Sequence, residues 1–175
     1  MRKVTFRVAN TLDGFIARTD GTYDWILRGK ESTSLMTKFW KSIDTVLWGR
    51  KTFEPLLNTK EPFPTFPGIR NYVFSRTLKQ SQNKDFEIIQ KDAVEFLRSL
   101  KKQPGKGIFV MGGGELAKSL LQADLIDEIG LNIHPILLGS GRPLFPPTGR
   151  QINLRLLEQK TQKNGCVYLL YRVKH

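Results

Sequence analysis

Ile108-Phe-Val-Met-Gly112-Gly-Gly114-Glu-Leu-Ala-Lys-Ser-Leu-Leu121 decides the fold. Its four leading apolar residues suit a buried central strand. Leu116, Ala117, Leu120 and Leu121 then follow the i, i+1, i+4, i+5 spacing of a helix face packed on a sheet. Three glycines, Gly112, Gly113 and Gly114, stand at the switch. Without Cβ atoms they admit unusual backbone angles and let another group come close to the chain. The helix after them points its free N–H groups and positive dipole end at that spot, which favours phosphate. A strand-to-helix turn that is merely glycine-rich explains the same residues, because the spacing is not GxGxxG.

Working outward, Asp44-Thr-Val-Leu-Trp48 repeats the arrangement: a short strand, then Gly49-Arg50-Lys51-Thr52, then Phe53, Leu56 and Leu57 of a short helix. Cations in a first turn oppose the helix dipole. An anion seated between Arg50 and Lys51 would resolve that conflict. Asn71-Tyr-Val-Phe74 reads as a strand ending in Ser75-Arg76-Thr77, and Phe86-Glu-Ile-Ile89 as the next. Asp92 is the expected N-cap of a helix carrying Val94, Phe96, Leu97 and Leu100. Asn58 to Gly68, with Pro62, Pro64 and Pro67, reads as a loop.

Upstream, Lys3 to Ala9 is the first strand, and Asp13-Gly14 and Thr19-Asp20-Gly21 mark turns. A helix is predicted from Ser32 or Thr33 to Lys41, with Leu35, Met36, Phe39, Trp40 and Ile43 as its core stripe. Downstream, Asp127 to Ile133 is a strand ended by His134-Pro135, and Leu138 to Phe145 a loop. Leu154 to Lys160 and Cys166 to Val173 form a hairpin around Asn164-Gly165. The order predicts one α/β domain over residues 1–175. Its three layers are a mostly parallel central sheet, helices on both faces, and a C-terminal antiparallel hairpin.

With 175 residues, 39% hydrophobic and 25% charged, the composition is that of a globular protein with one sizeable core. No apolar run reaches membrane-spanning length and the first residues hold no secretory h-region, so a cytoplasmic protein without membrane contact is expected. One cysteine excludes an internal disulfide, and two histidines leave little for a metal site; none is expected. Cys166 reads as core with no base nearby, and His134 as structural. The net charge of +12 is spread along the chain, not gathered in an arm. It favours an anionic small molecule over nucleic acid.

These pieces resemble, in order and over nearly the whole chain, the dihydrofolate reductase-like superfamily. The resemblance is carried by Val8-Ala-Asn-Thr-Leu-Asp-Gly-Phe-Ile-Ala17, Val46-Leu-Trp-Gly-Arg-Lys-Thr-Phe-Glu54, Tyr72-Val-Phe-Ser-Arg76 and Val110-Met-Gly-Gly-Gly114. Leu125-Ile-Asp-Glu128 and Pro135-Ile-Leu-Leu-Gly-Ser-Gly-Arg-Pro-Leu-Phe145 look like the branch that holds the riboflavin-biosynthesis reductase domain and its stand-alone relatives. The resemblance implies NADPH at the C-terminal edge of the sheet. Ala9 and Ile16 would meet the nicotinamide carboxamide through backbone groups. Gly49, Arg50, Lys51 and Thr52 would cradle the phosphates, and Ser75 and Arg76 would flank the 2′-phosphate. Gly112 and Gly113 would make a close turn, cis in dihydrofolate reductases, with Gly114 and Glu115 opening the helix behind it.

The folate enzymes carry a catalytic carboxylate in the first helix. By the register of Phe39 that position falls near Ser34 or Leu35, neither acidic, so dihydrofolate reduction is not expected. The proton donors on offer are Asp13, Asp24 and Glu31, with Asp13 equally a turn residue. Trp25 stands either beside the nicotinamide or in the core. Ser140 and Arg142 offer themselves to a substrate phosphate or to a subunit contact. The leading expectation is an NADPH-dependent reductase of a small heterocyclic or sugar-derived substrate, such as the ribosylaminopyrimidine of riboflavin synthesis. A nucleotide-binding protein without turnover and a nucleic-acid binder are the alternatives. A homodimer paired through the C-terminal strands is expected from the resemblance.

Overall fold

The computed structural model describes residues 1–57, 67–81 and 83–175, so most of the proline-bearing loop expected over 58–68 lies outside the described residues. Along the chain come β1 (Val4–Thr11), β2 (Phe15–Ala17), α1 (Lys30–Lys41), β3 (Ile43–Gly49), α2 (Arg50–Leu57), β4 (Arg70–Phe74) and β5 (Phe86–Ile89). Then follow α3 (Ala93–Lys102), β6 (Gly107–Gly112), α4 (Gly114–Gln122), β7 (Glu128–His134), β8 (Arg142–Pro143), β9 (Leu154–Thr161) and β10 (Val167–Val173). One sheet has the order β5-β4-β3-β6-β1-β7-β10-β9. Its pairs from β5 to β7 are parallel. Strand β10 runs antiparallel to both β7 and β9. This is the α/β architecture that the sequence predicts.

Alternation along the central strands explains why both faces need helices. In β6, Ile108 and Val110 join one apolar cluster while Phe109, between them, joins the other. The first cluster takes Leu97 and Leu100 of α3 and Leu116, Ala117, Leu120 and Leu121 of α4 against Val4 and Phe6. The second takes Phe39 of α1 and Phe53 of α2 against Val46 and Trp48. Each such buried side chain stabilises the fold by about 1.5–3 kcal/mol. Asp92 caps α3 as expected, accepting from the backbone N–H of Val94 and Glu95.

Two boundaries differ from the sequence reading. Helix α1 starts at Lys30, with Gly29 as an extended N-cap lacking a side-chain bond. Ser32, an anticipated start, lies inside the first turn and turns its hydroxyl to Gln162 instead. The loop over Leu138–Phe145 contains β8, which pairs antiparallel with β2 and so makes a small ribbon at the end of β1. The C-terminal ends of the parallel strands and the N-termini of α2 and α4 therefore share one rim, the usual place for a ligand in such sheets.

Candidate functional site

Neighbouring strands β3 and β6 bring Gly49 and Gly112 out side by side. A Cβ on Gly49 would fall 2.6 Å from the Gly113 nitrogen and 3.0 Å from the Gly112 oxygen, so this approach requires glycine. Gly112 has φ +123°, and its peptide bond to Gly113 is cis, as in dihydrofolate reductases. Helix α2 begins directly after Gly49 and α4 directly after Gly113. Two positive helix ends thus converge on one glycine-lined surface. Thr52 reaches across the gap, its hydroxyl 3.3 Å from where a Gly113 Cβ would stand. The sequence proposal that the glycines permit close approach has its geometry here.

The cations around this surface divide differently from the expectation. Arg50 pairs with Glu54, one turn along its own helix, at 2.8 Å. That ion pair alone accounts for a cation in the first turn, so the argument for an anion rests on the paired helix ends and not on Arg50. Lys51 and Arg76 are exposed. Ser75 is buried, and its hydroxyl accepts from the N–H groups of Thr77 and Leu78. It shapes the turn that carries Arg76. Glu115 is exposed in the first turn of α4, where a carboxylate suits the dipole. Ala9 lies in β1 opposite Asn132 of β7, and Ile16 lies in β2 with its side chain against the first core cluster.

On the α1 side of the sheet, farther along the rim, stands a group of residues with no motif in the sequence. His134 is fully buried at the end of β7, edge-on to Trp25 with ring centroids 5.2 Å apart. Trp25 is therefore held in the packing beside His134. The backbone N–H of Leu27 donates to His134 Nδ1 at 3.2 Å. Burial holds the imidazole below its ordinary pKa, so the ring is neutral. Nε2 lies 3.1 Å from the Asn132 carboxamide, which lies 2.5 Å from that of Gln162, which meets the hydroxyl of Ser32. Ser32 Oγ donates to Gln162 Oε1, and Gln162 Nε2 donates to Asn132 Oδ1.

Cys166 does have a base nearby, contrary to the sequence reading: its sulfur is 3.3 Å from His134 Nδ1. That nitrogen is engaged by Leu27, and burial pushes the thiol pKa up, so the thiol stays protonated and inert.

The three candidate acids do not meet. Asp13 accepts from Thr11 Oγ1 at 2.5 Å and from Gly139 N–H at 2.8 Å. The Thr11 bond, with the backbone bonds behind it, holds the carboxyl below its usual range; Asp13 is the turn residue. Asp24 is exposed and paired with Arg18 at 2.7 Å, which keeps it ionised as well. Glu31 is half-buried in the first turn of α1, while Ser34 is exposed and Leu35 apolar. The polar group that α1 turns towards β7 and β10 is Ser32. Ser140 is exposed, and the Arg142 guanidinium lies over Gly21 beside the β2–β8 ribbon. Among the described residues no cluster of His, Cys, Asp and Glu could hold a metal ion, and no helix is long and apolar enough to cross a membrane.

Comparison with known proteins gives this rim a lineage. Residues 2–168 match the model of the RibD C-terminal domain. The uncharacterized protein YyaP of Bacillus subtilis (strain 168) is 35% identical over 180 residues, spanning 97% of this chain and 94% of YyaP. A Shewanella sp. PV-4 structure, provisionally assigned to riboflavin biosynthesis, superposes with TM-score 0.84 at 22% identity, each chain fully covered. The Thermotoga maritima diaminohydroxyphosphoribosylaminopyrimidine deaminase/5-amino-6-(5-phosphoribosylamino)uracil reductase gives 0.74 at 18% identity, covering 99% of this chain and 57% of that one. Dihydrofolate reductase from Enterococcus faecalis, complexed with NADP(H), gives 0.72 at 18%, covering 99% and 97%. The fold is that of the dihydrofolate reductase-like proteins, and the chain belongs to the family of the RibD C-terminal domain.

Proposed function

We propose that this protein is an NADPH-dependent reductase of a small heterocyclic or sugar-derived substrate, of the 5-amino-6-(5-phosphoribosylamino)uracil reductase type. The observation that carries the reading is the approach of Gly49 to the Gly112–Gly113 turn. It sets two helix N-termini against a backbone without side chains, a surface suited to a pyrophosphate. The NADP(H) complex of the Enterococcus faecalis relative supports the choice of cofactor. Arg76, exposed at the end of β4 on a turn shaped by Ser75, is the group in reach of a 2′-phosphate.

A bound nicotinamide would supply the hydride. The chain's part is to orient and to exclude water. The segment around Trp25, pinned by the Leu27 bond to His134, lies against the end of β7. Ser32, whose hydroxyl donates to Gln162 Oε1, is the neutral polar group that α1 brings to this end of the rim. Absence of a carboxylate at that place is also what a binding protein without turnover would show. Consumption of NADPH with 5-amino-6-(5-phosphoribosylamino)uracil separates the two. Binding of NADPH without consumption favours the binding protein, and failure to bind NADPH removes both.

We further propose a homodimer. Strand β9 is a long edge with Leu154, Leu156 and Leu157 exposed, an apolar margin that single chains generally cover.

A further inference from the structure

The α1 face of the sheet holds a charged group that the nucleotide surface does not use. Arg7 leaves β1 across Gly130 of β7, where a Cβ would fall 2.9 Å from Arg7 Cγ. Its guanidinium carbon sits 3.8 Å from the ring centre of Phe39 and 5.6 Å from that of Tyr168. The two carboxylates whose charges reach it, Glu128 and Glu158, are already paired, with Lys3 at 2.8 Å and Lys160 at 2.7 Å. No described residue hydrogen-bonds the Arg7 side chain, and its Nε is enclosed and without a partner. Tyr168 is 6% exposed, and its hydroxyl also lacks a partner.

An arginine cannot shed its charge, so a half-buried one without a counter-ion is costly to keep. Phe39 covers the flat face of the guanidinium, which leaves its N–H edges for a ligand in the plane, where two oxygens of one anion fit its fork. The register extends the surface. Arg7 pairs with Gly130, Ala9 with Asn132, and Asn132 with Tyr168, which makes one patch beneath Phe39 and Ser32 of α1. The seven helical steps from Ser32 to Phe39 span about 10 Å, the length of a small heterocycle.

We propose that Arg7 and Tyr168 form the anion-binding end of the substrate pocket, taking the paired oxygens of a carboxylate or phosphate. The uncharged remainder of the substrate then lies towards the polar side chains of Ser32, Gln162 and Asn132. The assignment rests on the reductase reading and stands beside Arg142 as a receiver of substrate charge.

The test titrates inorganic phosphate and, separately, benzoate into the protein with and without NADP+. The reporter is the Arg7 Nε–H resonance, identified by its loss in Arg7→Met. At least one anion should shift it. Affinity for that anion should fall tenfold or more in Arg7→Met, less in Arg7→Lys and a few-fold in Tyr168→Phe, with NADPH affinity unchanged within twofold. A response to benzoate alone assigns a carboxylate, and to phosphate alone a phosphate. A resonance indifferent to both anions, or equal binding by wild type and Arg7→Met, overturns the proposal. Should Arg7→Met fail to fold, the wild-type resonance and Arg7→Lys decide. Loss of NADPH binding in wild type would instead strike the reductase reading, since the anion titration is read without cofactor too.

Discussion

The glycine surface between β3 and β6 and the polar patch across β1, β7 and β10 occupy one rim but are built differently. The first is made of backbone: Gly49, Gly112, Gly113 and two helix ends, with Thr52 as its side-chain contribution. The second is made of side chains drawn from distant segments, with Arg7, Ser32, His134, Gln162 and Tyr168 meeting across three strands and a helix. A backbone surface depends on the absence of atoms, so adding one carbon should ruin it. A side-chain patch is a network in which each member is replaceable at a graded cost.

The largest effect is expected from Gly49→Ala. The added carbon meets Gly113 and Gly112 backbone, neither of which can swing aside. NADPH affinity of the folded fraction should drop by about a hundredfold or more, with about 1–3 kcal/mol of stability lost to overpacking. Unchanged affinity in native protein would mean that the glycines only turn the chain. Next comes turnover with dihydrofolate, expected to be negligible because α1 presents Ser32 and not an acid. A rate of about 1–1000 per second would show that another carboxylate, Glu31 first, reaches the site.

Arg76→Ala should be milder. One charge-assisted contact of about 1.5–3 kcal/mol is removed, so the preference for NADPH over NADH should shrink about tenfold with NADH binding unaffected. Equal loss for both nucleotides would place Arg76 away from the 2′-phosphate.

The side-chain patch predicts a pH dependence. His134 in the folded protein resists protonation through burial, whereas in the unfolded chain it takes a proton near pH 6.5. The unfolded state therefore binds more protons below that pH. Stability should be full above it and fall as pH drops, by at most about 1.4 kcal/mol per unit, levelling once the folded pKa is passed. His134→Gln should lack this component in parallel urea titrations. Ring nitrogen spectra, simple with two histidines, should show His134 neutral at pH 7. A charged ring at that pH would remove this component. The smallest effect concerns assembly: sedimentation at micromolar concentration should give a species near twice 20.1 kDa, and only the single-chain mass would leave β9 a free edge.

Helix and strand order, the cap at Asp92 and the glycine turn were legible because each depends on neighbours in sequence. Apolar period, capping atom and missing Cβ act over a few residues. Even there the ends slipped, since Ser32 took a partner 130 residues away and α1 began without it. Arg50 read locally as a cation awaiting an anion, and Glu54, one turn on, already satisfied it. What tertiary structure alone decided is the α1 side of the rim. Arg7 in an alternating strand looks like any surface arginine until Gly130 makes room for its stem and Phe39 covers its face. His134 and Cys166 are each unremarkable until β7 and β10 pair antiparallel and close them to 3.3 Å. Sequence spacing encodes what hydrogen bonds and side-chain periods enforce locally. Which polar atoms end up buried together depends on strand order, and strand order is settled by how the whole apolar surface packs.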